Sequence, residues 1–211
     1  MKNKVMKQAF ISTFICVLAV IPAIIYFDEL PALMPIHFNT SGAADNYAPK
    51  ALACFGLPAF LAILNLVVHF SINNDPKKKN AQGPVYNIGL WTIPVITLIL
   101  PNVVIFKTLG HNIPIEMIIP VMVGLVMVVV GNYLPKAKQN YSVGIKLPWT
   151  LNNEDNWNKT HRLGGVLFML GGIGLILMGF FGANVVLFVA IMALIVFIPM
   201  IYSYILYKKG M

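Results

Sequence analysis

Six long apolar runs dominate this chain and limit what it can fold into. Each run has about 20 residues and contains no Asp, Glu, Lys or Arg. Roughly 20 helical residues cross the hydrocarbon core of a bilayer, and a helix satisfies its own backbone hydrogen bonds in lipid. The sequence therefore predicts an all-α integral membrane protein, a six-transmembrane-helix bundle with spans at residues 9–27, 51–72, 88–106, 117–134, 163–181 and 183–206.

The composition agrees with a membrane protein and excludes several other classes. Hydrophobic residues make up 58% of the chain and charged residues 10%, whereas soluble domains carry about 25% charged residues. The net charge of +8 does not indicate direct nucleic acid binding, because the basic residues form no continuous face or arm. The first apolar run exceeds the roughly 7–15 residues of a secretory signal, so we expect it to be retained as a span.

The placement of lysine and arginine predicts the orientation in the membrane. If the N-terminus is cytoplasmic, all of the 15 basic residues except Lys50 and Lys107 fall on cytoplasmic segments. Cytoplasmic loops are enriched in Lys and Arg, so we expect both termini to lie in the cytoplasm. The chain then divides into residues 1–72 with an extracellular loop at 28–50, two middle spans within 73–130, and residues 131–211 with a cytoplasmic loop at 135–162.

Two polar loops are the candidate functional regions. In the extracellular loop, His37, Asn39, Asp45 and Tyr47 could contact a ligand or cap the bundle, and His37 with Asp45 and Glu29 shows no recognised metal-ligand spacing. In the cytoplasmic loop, Asn152 is positioned to cap a helix, with Asp155 at its third position.

The helix that follows this cap would place two large side chains on one face. Trp157 and His161 are four residues apart and follow Glu154 at helical spacing. Two roles are open for this region. Trp149 and Trp157 could anchor the loop at the membrane interface, or Trp149, Trp157, His161 and Arg162 could form a docking surface for a cytosolic protein.

The fifth span carries a repeated small residue. Gly165, Gly172 and Gly179 recur every seven residues and line one side of a helix, where another helix can approach closely. The sequence shows no HExxH, no GxSxG and no intramembrane acid pair, so we predict that the protein is not an enzyme. We also predict no cofactor and no bound metal.

Four adjoining motifs resemble the signature region of the SdpI/YfhL family of bacterial membrane proteins. They read GNYLPK, NYSVGIK, PWTLNNEDNW and KTHRLGG between residues 131 and 165. The outer loop, LPALMPIHFNTSGAADNYAPK, resembles a module of unknown function that commonly precedes that region. Together the two matches bracket about three-quarters of the chain.

The resemblance implies a function in toxin immunity and signalling, in the bacterial cell membrane. The best-known member protects a cell from its own secreted peptide toxin and draws an ArsR-type repressor to the membrane. Carried over to this chain, the resemblance implies a toxin-sensing side formed by His37, Phe38, Asn39, Asp45 and Tyr47. It implies a repressor-docking side formed by Trp149, Thr150, Trp157, His161 and Arg162.

A second class of function stays open from the sequence. Several spans contain proline, and the two halves show a loose symmetry of helix, long loop and two helices. Both features also occur in transporters. The alternative prediction is therefore a small-molecule or lipid transporter with inverted-repeat-like halves, and a structural membrane subunit is a third.

Overall fold

The computed structural model describes residues 2–80, 84–182 and 184–211, which are mainly helical. The helices are α1 (Lys2–Leu18), α2 (Ile21–Ile25), α3 (Lys50–Asn73), α4 (Pro84–Thr108), α5 (Ile115–Tyr133), α6 (Pro148–Asn152), α7 (Glu154–Phe181) and α8 (Val185–Lys208). Strands β1 (Leu33–Phe38) and β2 (Ala44–Pro49) form an antiparallel hairpin. Short 3-10 turns lie at Phe27–Glu29 and Leu134–Lys136.

The prediction of six membrane-length helices is confirmed within the described part of the chain. The segments long and apolar enough to cross a membrane are Lys7–Ile25, Lys50–Asn73, Tyr86–Thr108, Ile115–Lys136, Glu154–Phe181 and Val185–Lys208. Residue 183, where we expected the last span to begin, lies outside the described residues. Large apolar side chains such as Phe10 (72% exposed) and Val186 (73% exposed) cover the outer helix surfaces, as suits contact with lipid rather than water.

The all-α prediction is wrong for the segment between α2 and α3, which forms the β-hairpin. Pro31 and Pro35 favour extended backbone in this segment, and a turn lies at Ser41-Gly42, with Gly42 at φ +76°. Asn39 organises this turn, since its Oδ1 accepts hydrogen bonds from the backbone N–H groups of Ser41 and Ala43, both at 3.0 Å. Two extended segments joined by such a turn pair with each other because each would otherwise leave its backbone groups unpaired.

The first span is also interrupted, although we expected one continuous helix. α1 ends at Leu18 and α2 begins at Ile21. Pro22 lies in the first turn of α2; its ring would clash with the carbonyl of Leu18 if the helix were continuous. Prolines deeper in the other spans do not break them; these are Pro58, Pro94, Pro101, Pro120 and Pro199.

The chain forms two compact units, of which the first comprises Met1–Phe70 and Leu90–Glu116. Its apolar core brings together Ala23, Leu30, Met34, Cys54 and Ile105. Met34 is fully buried on β1, so the base of the hairpin is part of this core. The hairpin is therefore fixed to the helices of its unit by packing.

A buried polar cluster joins α1 to α3 in the same unit. Asn65 Nδ2 donates to Ser12 Oγ and to Thr13 Oγ1, each at 2.9 Å. Ser12 Oγ also lies 2.8 Å from Nε2 of His69, which is four residues after Asn65 on the same face of α3. Hydrogen bonds between membrane helices contribute to their association, so this cluster supports the pairing of α1 with α3.

The second unit comprises Ser71–Gly89 and Met117–Met211, and α5 and α7 approach very closely in it. A Cβ added to Gly172 would lie 2.6 Å from the carbonyl oxygen of Gly124, and one added to Gly165 would lie 2.8 Å from that of Gly131. One added to Gly179 would lie 2.9 Å from the carbonyl oxygen of Met117 on α5. These three α7 glycines, the glycine seam, thus lie against the backbone of α5 in antiparallel register.

α8 packs on a different side of α7. Ile195 Cγ1 would lie 3.1 Å from a Cβ at Gly171, and near the other end Ser203 Oγ donates to Asn156 Oδ1 at 2.7 Å. Asn156 Nδ2 in turn donates to the carbonyl oxygen of Ser203 at 2.9 Å. The last two spans therefore pack antiparallel, and buried amide hydrogen bonds fix their register.

Gly172→Ala tests whether the glycine seam is a close backbone contact. We expect it to lower the free energy of unfolding by about 1–3 kcal/mol, because the new methyl group would overlap backbone atoms of α5. Gly174→Ala is the matched control on the same helix, since its methyl would meet Ile191 Cδ1 at an ordinary 3.4 Å. Thermal unfolding of both variants in one detergent is the measurement, and equal shifts in their midpoints would contradict the close contact.

Candidate functional site

The segment 134–153, here called the signature loop, is folded against the first turns of α7. Trp157 lies beneath it with no exposed surface, and its Nε1 donates to the carbonyl oxygen of Ala137 at 2.7 Å. The Trp157 ring stacks on the ring of His161 with centroids 3.9 Å apart. This ring pair, Trp157 and His161, is the internal support of the loop.

The hydrogen bonds of His161 define its protonation state. Its Nε2 accepts from the backbone N–H of Ile145 at 2.9 Å, and its Nδ1 lies 2.8 Å from the carbonyl oxygen of Trp157. A carbonyl only accepts and an N–H only donates, so the ring is neutral with its proton on Nδ1. A second proton on Nε2 would remove the bond to Ile145.

Gly144 allows the loop backbone to lie directly on the ring pair. Its φ is +123°, which side-chain-bearing residues rarely adopt. A Cβ at this position would lie 2.9 Å from Cη2 of Trp157. The glycine in the NYSVGIK motif is therefore required both by backbone conformation and by space.

Asp75, just beyond α3, is a second anchor of the signature loop and was not among the predicted site residues. It is buried and accepts from the backbone N–H of Lys77 at 2.7 Å, the backbone N–H of Tyr141 at 2.9 Å and the hydroxyl of Ser142 at 2.6 Å. The sequence signal was a lone acid beside three lysines at the end of a span. Such an acid is easily attributed to charge balance, because its loop partners are more than 60 residues away.

Gln139 links this anchor to the second half of the loop. Its Nε2 donates to the carbonyl oxygen of Thr150 at 2.8 Å, and its Oε1 accepts from Lys77 Nζ. Thr150 Oγ1 accepts from the backbone N–H of Leu147 at 2.8 Å and so closes the turn before α6. The backbone polar groups of the loop are thus held by specific side chains at both ends.

The predicted helix cap lies one residue later than expected. Asn153, rather than Asn152, caps α7, and its side chain accepts from the backbone N–H of Asn156 at 2.8 Å. Asn152 belongs instead to the short helix α6. The sequence presents two adjacent asparagines, and only the extended backbone at Asn153 decides between them.

The five residues predicted to dock a partner differ in accessibility. Thr150, Trp157 and His161 have no exposed surface, so they hold the loop together. Arg162 is exposed and Trp149 is partly exposed. The Trp149 ring contacts Tyr204 and Tyr207 of α8, with centroids 5.4 and 5.9 Å apart.

The five residues predicted to sense a ligand all lie on the β-hairpin of the other unit. His37 Nδ1 and Asp45 Oδ1 are 2.5 Å apart, with side chains 66% and 44% exposed. Tyr47 is 53% exposed, whereas Phe38 is partly covered, with Lys107 Nζ 5.9 Å from its ring centre. The side-chain oxygen of Asn39 is engaged in hydrogen bonds within the turn. Among the described residues, no group of three or more His, Cys, Asp or Glu side chains could hold a metal ion.

Asp75→Ala tests the anchoring of the signature loop. The substitution removes the acceptor of three donors, which are the backbone N–H groups of Lys77 and Tyr141 and the hydroxyl of Ser142. Each donor that water does not reach then costs roughly 1–3 kcal/mol. We expect faster tryptic cleavage after Lys138 and Lys146 in limited proteolysis. Asp155→Ala, at an exposed acid on α7, is the control and should leave the rate unchanged. The same rate in both variants would show that Asp75 does not hold the loop.

Comparison with known proteins gives a match for the region of the signature loop and another for the region of the hairpin. Residues 136–203 match the model of the SdpI/YfhL protein family, and residues 14–62 match a domain of unknown function (DUF1648). The chain is 28% identical over 210 residues to the immunity protein SdpI of Bacillus subtilis (strain 168), across 97% of this chain and 98% of that protein. No solved structure matches the chain. Most of the signature loop, all of α7 and most of α8 lie inside the region that the model of the SdpI/YfhL protein family matches.

Proposed function

We propose that this chain is a multi-pass membrane immunity protein that protects a bacterial cell from a secreted peptide toxin. The observation that carries the proposal is the similarity to an immunity protein over nearly the full length of both chains. The similarity includes the β-hairpin and the signature loop, so neither region is an addition to a shared core. Six membrane-length helices in the described residues are consistent with protection at the cell membrane.

The proposed orientation places both termini and the signature loop in the cytoplasm and the hairpin outside. The excess of lysine and arginine on the cytoplasmic segments supports it. The two basic residues on the other side make local contacts: Lys50 Nζ donates to the carbonyl oxygen of Phe27 at 3.0 Å, and Lys107 Nζ to that of Ile113 at 2.9 Å. Both lysines thus have a structural role on the hairpin side.

The hairpin is the proposed toxin-facing surface. Between it and the end of α4 lies a cavity of about 370 Å³, lined mostly by apolar groups that include Leu33, Phe38 and Tyr47. His37 and Asp45 present a polar pair on the exposed hairpin. An apolar cavity beside an exposed polar pair suits a peptide that is both apolar and charged. Asn39 contributes by shaping the turn.

The signature loop is the proposed site for recruiting an ArsR-type repressor. Its compact internal bonding supports this role, because a preformed surface binds a partner without an ordering cost. Arg162 and the exposed part of Trp149 are the predicted residues that remain available for contact. Thr150, Trp157 and His161 would act by keeping the loop in shape.

Cysteine labelling tests the proposed orientation. The native Cys16 and Cys54 are both buried, so single new cysteines at exposed positions report on access. We expect an impermeant maleimide to label Thr40→Cys in intact cells, and Asn158→Cys only after permeabilisation. Labelling of Asn158→Cys in intact cells would contradict the orientation.

Survival of a sensitive strain across a dose series of a secreted peptide toxin tests immunity. We expect the wild-type protein to protect the strain. Cells that carry His37→Ala/Tyr47→Ala should be killed by roughly tenfold less toxin, which corresponds to about 1.4 kcal/mol of lost binding free energy. Thr40→Ala, an exposed change on the same hairpin, is the matched control. Failure of well-inserted wild type to protect would remove the immunity proposal for that toxin and favour transport.

Arg162→Gln separates signalling from protection in the same strain. If the signature loop docks a repressor, this variant should lose membrane recruitment of the repressor while protection persists. Lys78→Gln, an equal charge change on an exposed residue between α3 and α4, should alter neither. Loss of protection in Arg162→Gln would show that the two activities share one surface.

A further inference from the structure

A cavity of about 570 Å³ lies at the end of α8 and shares Trp149 with the proposed docking surface. It lies within the second unit, between the start of α6, the start of α7 and the residues after α8. Its walls are formed by Pro148, Trp149, Asn152, Asn153, Tyr207, Gly210 and Met211. The walls therefore combine aromatic rings with two side-chain amides.

The position of the cavity along α8 places it at the membrane surface. α8 is apolar enough to cross a bilayer and ends at Lys208, so the residues around its end lie where the span leaves the hydrocarbon. Trp and Tyr concentrate at this depth. Trp149 stacks on Tyr207 with an interplanar angle of 25°, and its Nε1 has no hydrogen-bond partner among the described residues.

Two lysines lie close to the residues that form the cavity wall. Lys159 Nζ lies 3.0 Å from Sδ of Met211, which is part of the wall. Lys208 Nζ lies 5.6 Å from the ring centre of Tyr204, which contacts Trp149.

The face of α8 that carries Lys208 continues toward the middle of the helix as an apolar strip. Ile201 and Ile205, four residues apart on one face, are 54% and 45% exposed. An acyl chain could lie along this strip while a headgroup occupied the cavity. A soluble anion would use the lysines but would gain nothing from the strip.

We propose that this cavity binds the phosphate-bearing headgroup of an anionic phospholipid. Lys159 and Lys208 would pair with the phosphate, the side-chain amides of Asn152 and Asn153 would face the polar headgroup, and the Trp149–Tyr207 wall would pack on its apolar part. The site depends only on membrane embedding. Its failure would leave the immunity proposal untouched, and failure of immunity would leave the lipid site untouched.

The test uses the full chain in nanodiscs that contain phosphatidylcholine with increasing phosphatidylglycerol. We expect native mass spectrometry to show retained phosphatidylglycerol on wild type and a rising thermal midpoint with its content. Lys159→Gln/Lys208→Gln should lower the preference for phosphatidylglycerol over phosphatidylcholine by about twenty-five-fold, since each lysine close to an anionic lipid contributes roughly fivefold. Lys78→Gln/Lys79→Gln, with the same charge change at exposed positions, should keep the preference.

Three outcomes would overturn the proposal. Wild type could show no preference for phosphatidylglycerol. The two double variants could lose it equally, which would assign the effect to overall charge. Stabilisation by soluble glycerol phosphate equal to that by phosphatidylglycerol would exclude a lipid as the ligand. A Tyr207→Leu variant, which keeps all charges but removes the aromatic wall, should also weaken retention; full retention by it would count against the cavity.

Discussion

The close contact between α5 and α7 is the constraint on which the second unit depends. Lipid chains are as apolar as leucine, so membrane helices gain little from hiding apolar surface from lipid and associate through tight packing instead. Glycines on both helices provide that packing, with Gly124 opposite Gly172 and Gly131 opposite Gly165. Because the two helices meet backbone to backbone, the end of α5 lies beside the beginning of α7. The signature loop joins these two ends and therefore folds over the first turns of α7.

This arrangement explains why so many polar residues of the loop are buried. A polar group shielded from water must find a partner, and the loop meets that need with side chains from several parts of the unit. Asp75 holds the middle of the loop, Gln139 links its two halves, and the ring pair Trp157–His161 bonds the backbone of Ala137 and Ile145. A loop that is bonded throughout in this way presents a defined surface. A defined surface is what the proposed docking site for a cytosolic partner requires. It also fits the proposed division of the loop into buried residues that give the loop its shape and exposed residues that would contact the partner.

The hairpin provides the corresponding ordered element in the other unit. Its base enters an apolar core through Met34, while its outer face exposes His37, Asp45 and Tyr47. The match to the SdpI/YfhL family model and the near full-length similarity to an immunity protein support the function proposed above, and the two ordered polar regions are the candidate surfaces for it. The proposed lipid site would be a third binding region, because a headgroup held at the end of α8 would contact the aromatic rings of Trp149 and Tyr207.

The sequence by itself determined the membrane class, the six spans, the glycine spacing on α7 and the two polar regions. These depend on the length and composition of apolar runs and on residue spacing, which are local properties. The tertiary structure alone decided that the hairpin is a β-structure, that the first span breaks before Pro22 and that Asn153 caps α7. It also decided which polar residues are accessible. Trp157 and His161 looked like surface residues because a helical wheel does not show that the signature loop covers this face of α7. Asp75 looked isolated because its hydrogen-bond partners are distant in the chain. Burial depends on which segments meet, and that is set by long-range packing.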